Sequence, residues 1–403
     1  MPDEVIYLDN HATTRVDPRV VEAMLPYFTE RYGNASSASH AFGWEAGDAV
    51  DRAREQVAGL IGAEPPEIVF TSGATEANNL AIKGTARAHR GQGGHLVCSA
   101  VEHRAVLDPM RRLAREEGWS LSVVPCDPDG RISPEAVAEA ITDRTALVSV
   151  MAANNEVGTI NPIREIGRLC RERGVTFHTD ASQAVGKIPV DLEEVGADLL
   201  SLTAHKFHGP KGIGALFVRR RGARARLVSL VDGGGHERGL RSGTLPVPLI
   251  VALGRAAELA AEEGPSDAIR MARLRDRLED SIRNLLEDQG IRRHGREADR
   301  LPNNLSLGFE GVEGEALLMA IRGVAASPGA ACSSAEPGPS HVLRAMGVGE
   351  RLAGATLRFG LGRFTTEGEV DRAGRLIAEA VRRLRAGGGP EGVRPSKVGH
   401  QGL

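Results

Sequence analysis

From about residue 48 the chain alternates between helical and short apolar segments, and this alternation constrains the fold more than any other feature. AVDRAREQVAGLIG spaces its apolar residues as one helix face, and EIVF follows as a short buried strand. The pattern repeats: TEANNLAIKGTARAH then HLVCS, and RAVLDPMRRLAREEG, despite Pro109, then LSVVP. PEAVAEAI, with Ser133 as its cap and Pro134 in its first turn, leads to ALVSVM. PIREIGRLCRERG leads to VTFHTD, and LLSLTA and GALFVRR are two further strands. Strands that are apolar throughout, separated by helices, predict an α/β fold with a mostly parallel sheet covered on both faces.

The pattern changes after about residue 250. Residues 251–290 read as nearly continuous helix, and NNLSLGF and ATLRFGL then read as strands of a smaller α+β unit. The expected division is a large domain over residues 16–255 and a small one built from 1–15 and 256–385, with a loop over about 326–340. The Gly-rich tail from 386 to 403 is expected to be disordered.

In an open parallel sheet, ligands bind beyond the carboxyl ends of the strands. Those ends carry a concentrated polar set here. T-S-G-A-T-E, residues 71–76, is a glycine-containing turn that opens a helix, and a helix N-terminus offers free N–H groups to a phosphate. His103 follows HLVCSA, and Asn154, Asn155 and Glu156 follow ALVSVM. Asp180 ends VTFHTD, with Gln183 close behind, and Thr203, His205 and Lys206 end LLSLTAHK. A phosphate turn, an acid and a lysine at neighbouring strand ends suggest pyridoxal phosphate, which needs a lysine for its Schiff base and an acid for its pyridine nitrogen. Lys211 reads as a turn residue.

Charge and cysteine usage exclude several classes. The net charge is -3, and no long basic stretch occurs outside the RRRGARAR run at 219–226, read as a solvated strand end; a direct nucleic-acid role is not expected. No apolar run approaches the ~20 residues of a membrane span. The four cysteines form no C-x-x-C pair and no zinc spacing, so no metal site is expected and a cytoplasmic, reducing home is. One of them, Cys332, lies in SPGAACSS among small residues that pack poorly, a thiol presented rather than buried.

The chain resembles the group I cysteine desulfurases of the NifS/IscS type, within the class-V aminotransferases. YLDNHATT, FTSGATEANNLAIKG, NNEVGTI, HTDASQAVGK, AHKFHGPKGIGAL, GGGHERGLRSGT, SPGAACSS and LRFGLGRFTTEGEV carry the resemblance, in that order, over nearly the whole chain. It implies the fold type I of pyridoxal-phosphate enzymes, with a seven-stranded sheet, and a homodimer. Lys206 would hold the cofactor, Asp180 would pair with its ring nitrogen, and His103 would stack on the ring and serve as a base. Gln183 and Asn155 would lie near its phenolic oxygen. Ala74, Thr75, Thr203 and His205 would hold its phosphate, and Thr244 would reach the phosphate of the partner subunit's cofactor. Arg358 and Asn34, with Asn155, would bind the substrate, and Cys332 would be the nucleophile.

The implied reaction removes sulfur from L-cysteine, giving alanine and a persulfide on Cys332. An acceptor protein, such as an iron–sulfur scaffold or a tRNA-thiolation enzyme, would take the sulfur. The resemblance leaves open whether Cys332 also serves as a transient iron–sulfur ligand, and whether selenocysteine is the preferred substrate. Family members commonly have Ser at the position of Thr203, and Pro follows G-N where this chain has Ala35.

Overall fold

The computed structural model describes residues 5–89, 94–222, 224–295, 299–328 and 340–387. Cys332, and all of the tail beyond Gly387, therefore lie outside the described residues.

The chain starts with β1 (Ile6–Tyr7), α1 (Pro18–Met24), α2 (Pro26–Thr29) and α3 (Ala41–Ile61). Strands and helices then alternate: β2 (Ile68–Thr71), α4 (Ala74–Ala88), β3 (His95–Ser99), α5 (Arg104–Glu116), β4 (Ser120–Val124), α6 (Pro134–Ala140), β5 (Thr145–Ser149), α7 (Ile163–Glu172), β6 (Thr176–Asp180), α8 (Leu192–Val195), β7 (Leu199–Thr203) and β8 (Gly214–Val218). The seven strands β2 to β8 form one sheet in the order β2-β8-β7-β6-β5-β3-β4. Pairs among β3 to β7 are parallel, and β8 alone runs against both its neighbours.

The strand sequences explain why both faces are covered. Successive side chains point to opposite faces. On β3, Leu96 and Cys98 pack with α4 and α5, through Leu80, Ile82, Val106 and Met110. Val97, between them, faces the other way, into a core with Val57 and Ile61 of α3 and Ile166 of α7. Apolar residues at every strand position are thus what two covered faces require.

A second core lies apart. It joins Ile6 and Leu8 to Leu278, Ile282, Leu305, Leu307 and Phe359. Its elements are β9 (Ile291–Arg293), β10 (Asn304–Phe309), α10 (Gly314–Ala320), β11 (Val324–Ala325), β12 (Ser327–Pro328), β13 (Thr356–Gly360) and α13 (Glu367–Arg385), while α11 (His341–Ala345) and α12 (Glu350–Gly354) send Val342, Leu343 and Ala353 into the first core. β1 pairs in parallel with β11, and the order β12-β13-β10-β9 makes a four-stranded sheet. α9 (Val247–Leu285) runs through both cores: Ile250 and Leu253 belong to the first, Leu274 and Leu278 to the second.

Two boundaries depart from the sequence expectation. α3 begins at Ala41, well before residue 48, because the imidazole of His40 caps it by accepting from the Gly43 N–H. The long helix begins at Val247 and ends at Leu285. Ser133 does cap α6, accepting from the N–H groups of Glu135 and Ala136. The RRRGARAR arginines are partly consumed in the fold: Arg219 donates to the Ala197 and Leu192 carbonyls, and Arg224 pairs with buried Asp198.

Candidate active site

The carboxyl ends of β2, β3, β5, β6 and β7 open on one cleft, and the N-terminal segment Asp9–Thr14 lies across it. Lys206 sits one short turn beyond β7. Its Nζ donates to the carbonyls of His11 at 2.5 Å and Ala12 at 2.8 Å. Among the described residues no carboxylate bonds it. Burial, then the nearby Arg358 charge, lower its pKa to about 8, against the opposing pull of Asp180 and Asp9. A lysine poised there supplies a substantial fraction of free amine near neutral pH.

That shift has a consequence for stability. An unfolded lysine titrates near 10.4. Below pH 8 the folded, cofactor-free chain carries the full cost of a charged, buried ammonium, and the cost is relieved as pH rises from about 8 towards 10.4. Cofactor-free Lys206→Met is therefore expected to melt above the cofactor-free parent at pH 7, with the gap closing between pH 8 and 10. A gap independent of pH in paired thermal melts would count against the buried charge.

Asp180 closes β6 and is buried. Asn78 Nδ2, from α4, donates to its Oδ2 at 2.7 Å, and the Ser182 N–H donates to its Oδ1 at 2.9 Å. Both oxygens are held in place, and the carboxylate remains able to accept one more donor. His103 caps α5, its Nδ1 accepting from the Ala105 N–H, so that Nε2 is left for other work. Crowding by protein, with Lys206 close by, lowers its pKa and favours the neutral ring. The preceding Glu102 ties the ends of β3 and β5 together. It accepts from Ser99 Oγ at 2.5 Å and from the Met151 N–H at 2.7 Å, and burial raises its pKa to about 8.

The phosphate turn has the expected form. Gly73 precedes α4 with φ of 149°, a conformation that favours glycine, and a Cβ there would face Thr203 Oγ1 at 3.7 Å. The first-turn amides of Ala74 and Thr75 lack intrahelical partners by the geometry of any helix start. The buried Thr203 hydroxyl donates to the Ile213 carbonyl at 3.2 Å, and His205 Nδ1 lies 3.2 Å from Thr13 Oγ1. Burial and the nearby lysines lower the His205 pKa to about 4.

Arg358, on β13, is among the largest fully buried side chains. One of its nitrogens donates to the Asn155 carbonyl at 2.9 Å and another to Asp9 Oδ1 at 3.0 Å. Asp9 Oδ2 in turn accepts from Ser327 Oγ at 2.8 Å. Across the domain junction, Ser340 caps α11 and its hydroxyl bonds the buried Glu156. Glu156 follows directly on Asn155, and burial raises its pKa to about 7.

Ten of the expected residues thus gather at the cleft: Ala74, Thr75, His103, Asn155, Asp180, Gln183, Thr203, His205, Lys206 and Arg358. Asn34 and Thr244 do not join them by any hydrogen bond or ion pair. Asn34 is exposed and closes a local turn with the Ser36 N–H, and Thr244 is exposed after Ser242. Asp9, His11, Ala12 and Lys187 also belong to the cluster; they lie within the YLDNHATT and HTDASQAVGK stretches, but the sequence alone assigns them no role. The crossing of residues 9–14 over the cleft brings the first three in.

Pyridoxal phosphate fits what is present. The side chain of Asn155 ends in a buried oxygen without a partner, and the Nε of Arg358 is likewise buried and unpaired. These atoms await a polar group. The lysine without a carboxylate, the doubly held Asp180 and the glycine turn match the three ends of that cofactor.

Comparison with known proteins agrees. The aminotransferase class-V family model matches residues 6–373. The curated "Cysteine desulfurase IscS" of Anaeromyxobacter dehalogenans (strain 2CP-C) is 57% identical over 380 residues, covering 94% of this chain and 93% of that one. Among solved structures, a "NIFS-like protein" superposes with a TM-score of 0.87 at 39% identity, covering 94% of this chain and 100% of the other. "SspA in complex with cysteine" does so with a TM-score of 0.78 at 38% identity, covering 89% and 99%.

Proposed function

The chain belongs to the aminotransferase class-V family and is a pyridoxal-phosphate-dependent cysteine desulfurase, and from that premise we propose how its residues divide the work. The single observation that carries the assignment is Lys206, a buried lysine without a carboxylate, held between two backbone carbonyls at the ends of the sheet strands.

Lys206 holds the cofactor, and Asp180, fixed by Asn78 and Ser182, faces its ring nitrogen. Ala74, Thr75, Thr203 and His205 hold its phosphate; to donate there, the Thr203 hydroxyl turns away from Ile213. When bound, pyridoxal phosphate supplies an electron sink for the charge left as the substrate Cα–H bond breaks. Arg358 takes the substrate carboxylate, for which its buried Nε is the uncommitted donor. Asn155, whose carbonyl Arg358 holds, supports the substrate from the loop after β5, and Asn34 is assigned there by resemblance alone. The Lys206 amine, once free, takes the Cα proton at Nζ and returns it. His103 stays the base for the thiol proton, which it can take only at Nδ1 once that atom releases the Ala105 N–H, because the bond puts the neutral ring's own proton on Nε2. The balance is one L-cysteine and the Cys332 thiol giving one alanine and the Cys332 persulfide, with no outside oxidant.

The domain division at 15/16 is supported by Ile6 and Leu8 in one core and Val20 in the other, whereas the first core runs past 255/256 to Ala260 and takes in Leu301, Val342 and Leu343. A homodimer is supported by the exposed apolar run Leu25, Phe28, Tyr32, Phe42 and Trp44. Thr244 faces outward from a loop that is firmly held. Glu237 of that loop is buried, accepts a two-pronged bond from Arg54 at 2.7 and 2.8 Å, and accepts from the Phe70 N–H at 2.7 Å. Such a loop suits a residue that reaches a partner's phosphate. A persulfide carried by Cys332 passes to a protein acceptor, an iron–sulfur scaffold or a tRNA-thiolation enzyme. No helix among the described residues is long and apolar enough to cross a membrane.

Incubation with L-cysteine, followed by alanine assay and peptide mapping of the sulfane sulfur, tests this reading. Equal amounts of alanine and of persulfide on the Cys332 peptide are expected before any acceptor is added. Alanine formed with the persulfide mapping to another cysteine sinks the assignment of Cys332.

A further inference from the structure

Behind Lys206 three side chains form a closed hydrogen-bonded set. Lys187 Nζ lies 2.7 Å from Gln183 Oε1, and His11 Nδ1 lies 2.9 Å from the same oxygen. Gln183 Nε2 donates to the His11 carbonyl at 3.1 Å, the carbonyl that also accepts from Lys206 Nζ. All three side chains are nearly or fully buried.

The chemistry of the donors fixes the protons. An amide oxygen only accepts, so His11 carries its proton on Nδ1 and Lys187 donates. A flipped Gln183 would set its oxygen against the His11 carbonyl, acceptor to acceptor, and would strand two donors. The amide therefore has one orientation. Of its two N–H bonds, one goes to the His11 carbonyl, and the other has no acceptor among the described residues. Among the described residues Lys187 has no carboxylate partner. Burial, together with Lys206 and Arg358, pushes its pKa well below the lysine range, so it serves as a neutral donor.

We propose that Lys187 and His11 are positioning residues that fix the Gln183 amide so that its second N–H is delivered to the phenolic oxygen of the cofactor. The inference rests on the reading that Lys206 holds pyridoxal phosphate with Gln183 beside that oxygen. An N–H donated to the phenolic oxygen makes it less basic. The lysine-bound chromophore then loses its proton at lower pH than it would without the donor. The other charged or titratable groups around Lys206 are Arg358, Asp9, Asp180, His103 and His205, and His205 also feels the Lys187 charge, so a Gln183→Leu background is what separates an effect through the amide from one through charge.

The test is a visible-absorbance pH titration of the holoenzyme without substrate. In Lys187→Met one of the two donors that hold the amide oxygen is lost, and the midpoint is expected to rise by up to about one pH unit, the size of one hydrogen bond. In a Gln183→Leu background the same change adds nothing further, because it acts through that amide. A wild-type midpoint in cofactor-loaded Lys187→Met overturns the proposal, and so does a shift that persists undiminished over Gln183→Leu. Should Lys187→Met not fold, His11→Phe removes the second donor to the same oxygen and carries the test in the same sense. A parent enzyme with no lysine-bound chromophore overturns the reading of Lys206 instead, so the two failures are distinguishable.

Discussion

Lys206→Ala is expected to lose alanine production by at least ~10³-fold and to lose the visible absorbance of the lysine-bound cofactor altogether. Two functions vanish together. The covalent anchor goes, and so does the amine that takes the Cα proton. The neighbours cannot substitute. Lys187 is engaged with Gln183, and Lys211 is exposed in the turn that follows. His205 and His103 are both disfavoured from carrying protons by burial. Cofactor bound to the variant should dissociate on dialysis, since only the phosphate cradle and Asp180 then retain it. Spectra before and after dialysis, with single-turnover alanine assay, read both losses. Turnover within tenfold of the parent removes Lys206 from its assigned role.

Cys332→Ser is expected to abolish persulfide formation, with alanine reduced to background and the cofactor spectrum unchanged. The argument comes from the other three cysteines. Cys98 and Cys170 are fully buried, and burial pushes the Cys170 thiol up to about 12 and the Cys98 thiol higher still. At pH 7.5 a thiol of that kind is thiolate to less than about one part in 10⁴, and the thiolate is the nucleophile. Cys126 is half-buried, and its thiol is also raised. Each packs against a core rather than facing the cleft. A serine oxygen cannot accept the sulfur as a persulfide. Retained alanine formation in Cys332→Ser, measured in the absence of added thiols, would show that the sulfur leaves by another route.

How much of this was legible in the chain depends on the range of the contact involved. The strands and their order along the chain follow from runs such as HLVCS and VTFHTD, whose signal is local. Asp180, Lys206 and Thr203 were legible because strand ends are functional positions in any open parallel sheet. The start of α3 was not. Gly43 and Gly47 weaken the helical signal there, and the cap is a histidine rather than Ser, Thr, Asp or Asn. Pro109, the sixth residue of α5, forgoes the bond its N–H would make to the Ala105 carbonyl, and the helix nonetheless continues to Glu116. His11 was opaque for another reason. Its partners Gln183 and Lys206 lie 172 and 195 positions away, and no local pattern encodes such pairings.

α9 has a mechanical meaning. Its 39 residues at 1.5 Å each make a beam about 58 Å long, planted at one end under the Lys206 sheet and at the other in the core behind Arg358. On the proposed assignment of Lys206 and Arg358, the substrate would be gripped from both ends of that beam. A tilt of about 6° between the two mounts moves an atom 10 Å away by about 1 Å, and a misplacement of that size costs on the order of a hundredfold in rate. Alignment tolerance is therefore set by how little one helix bends. Pro265, which lacks an N–H, marks the point along it where bending is cheapest.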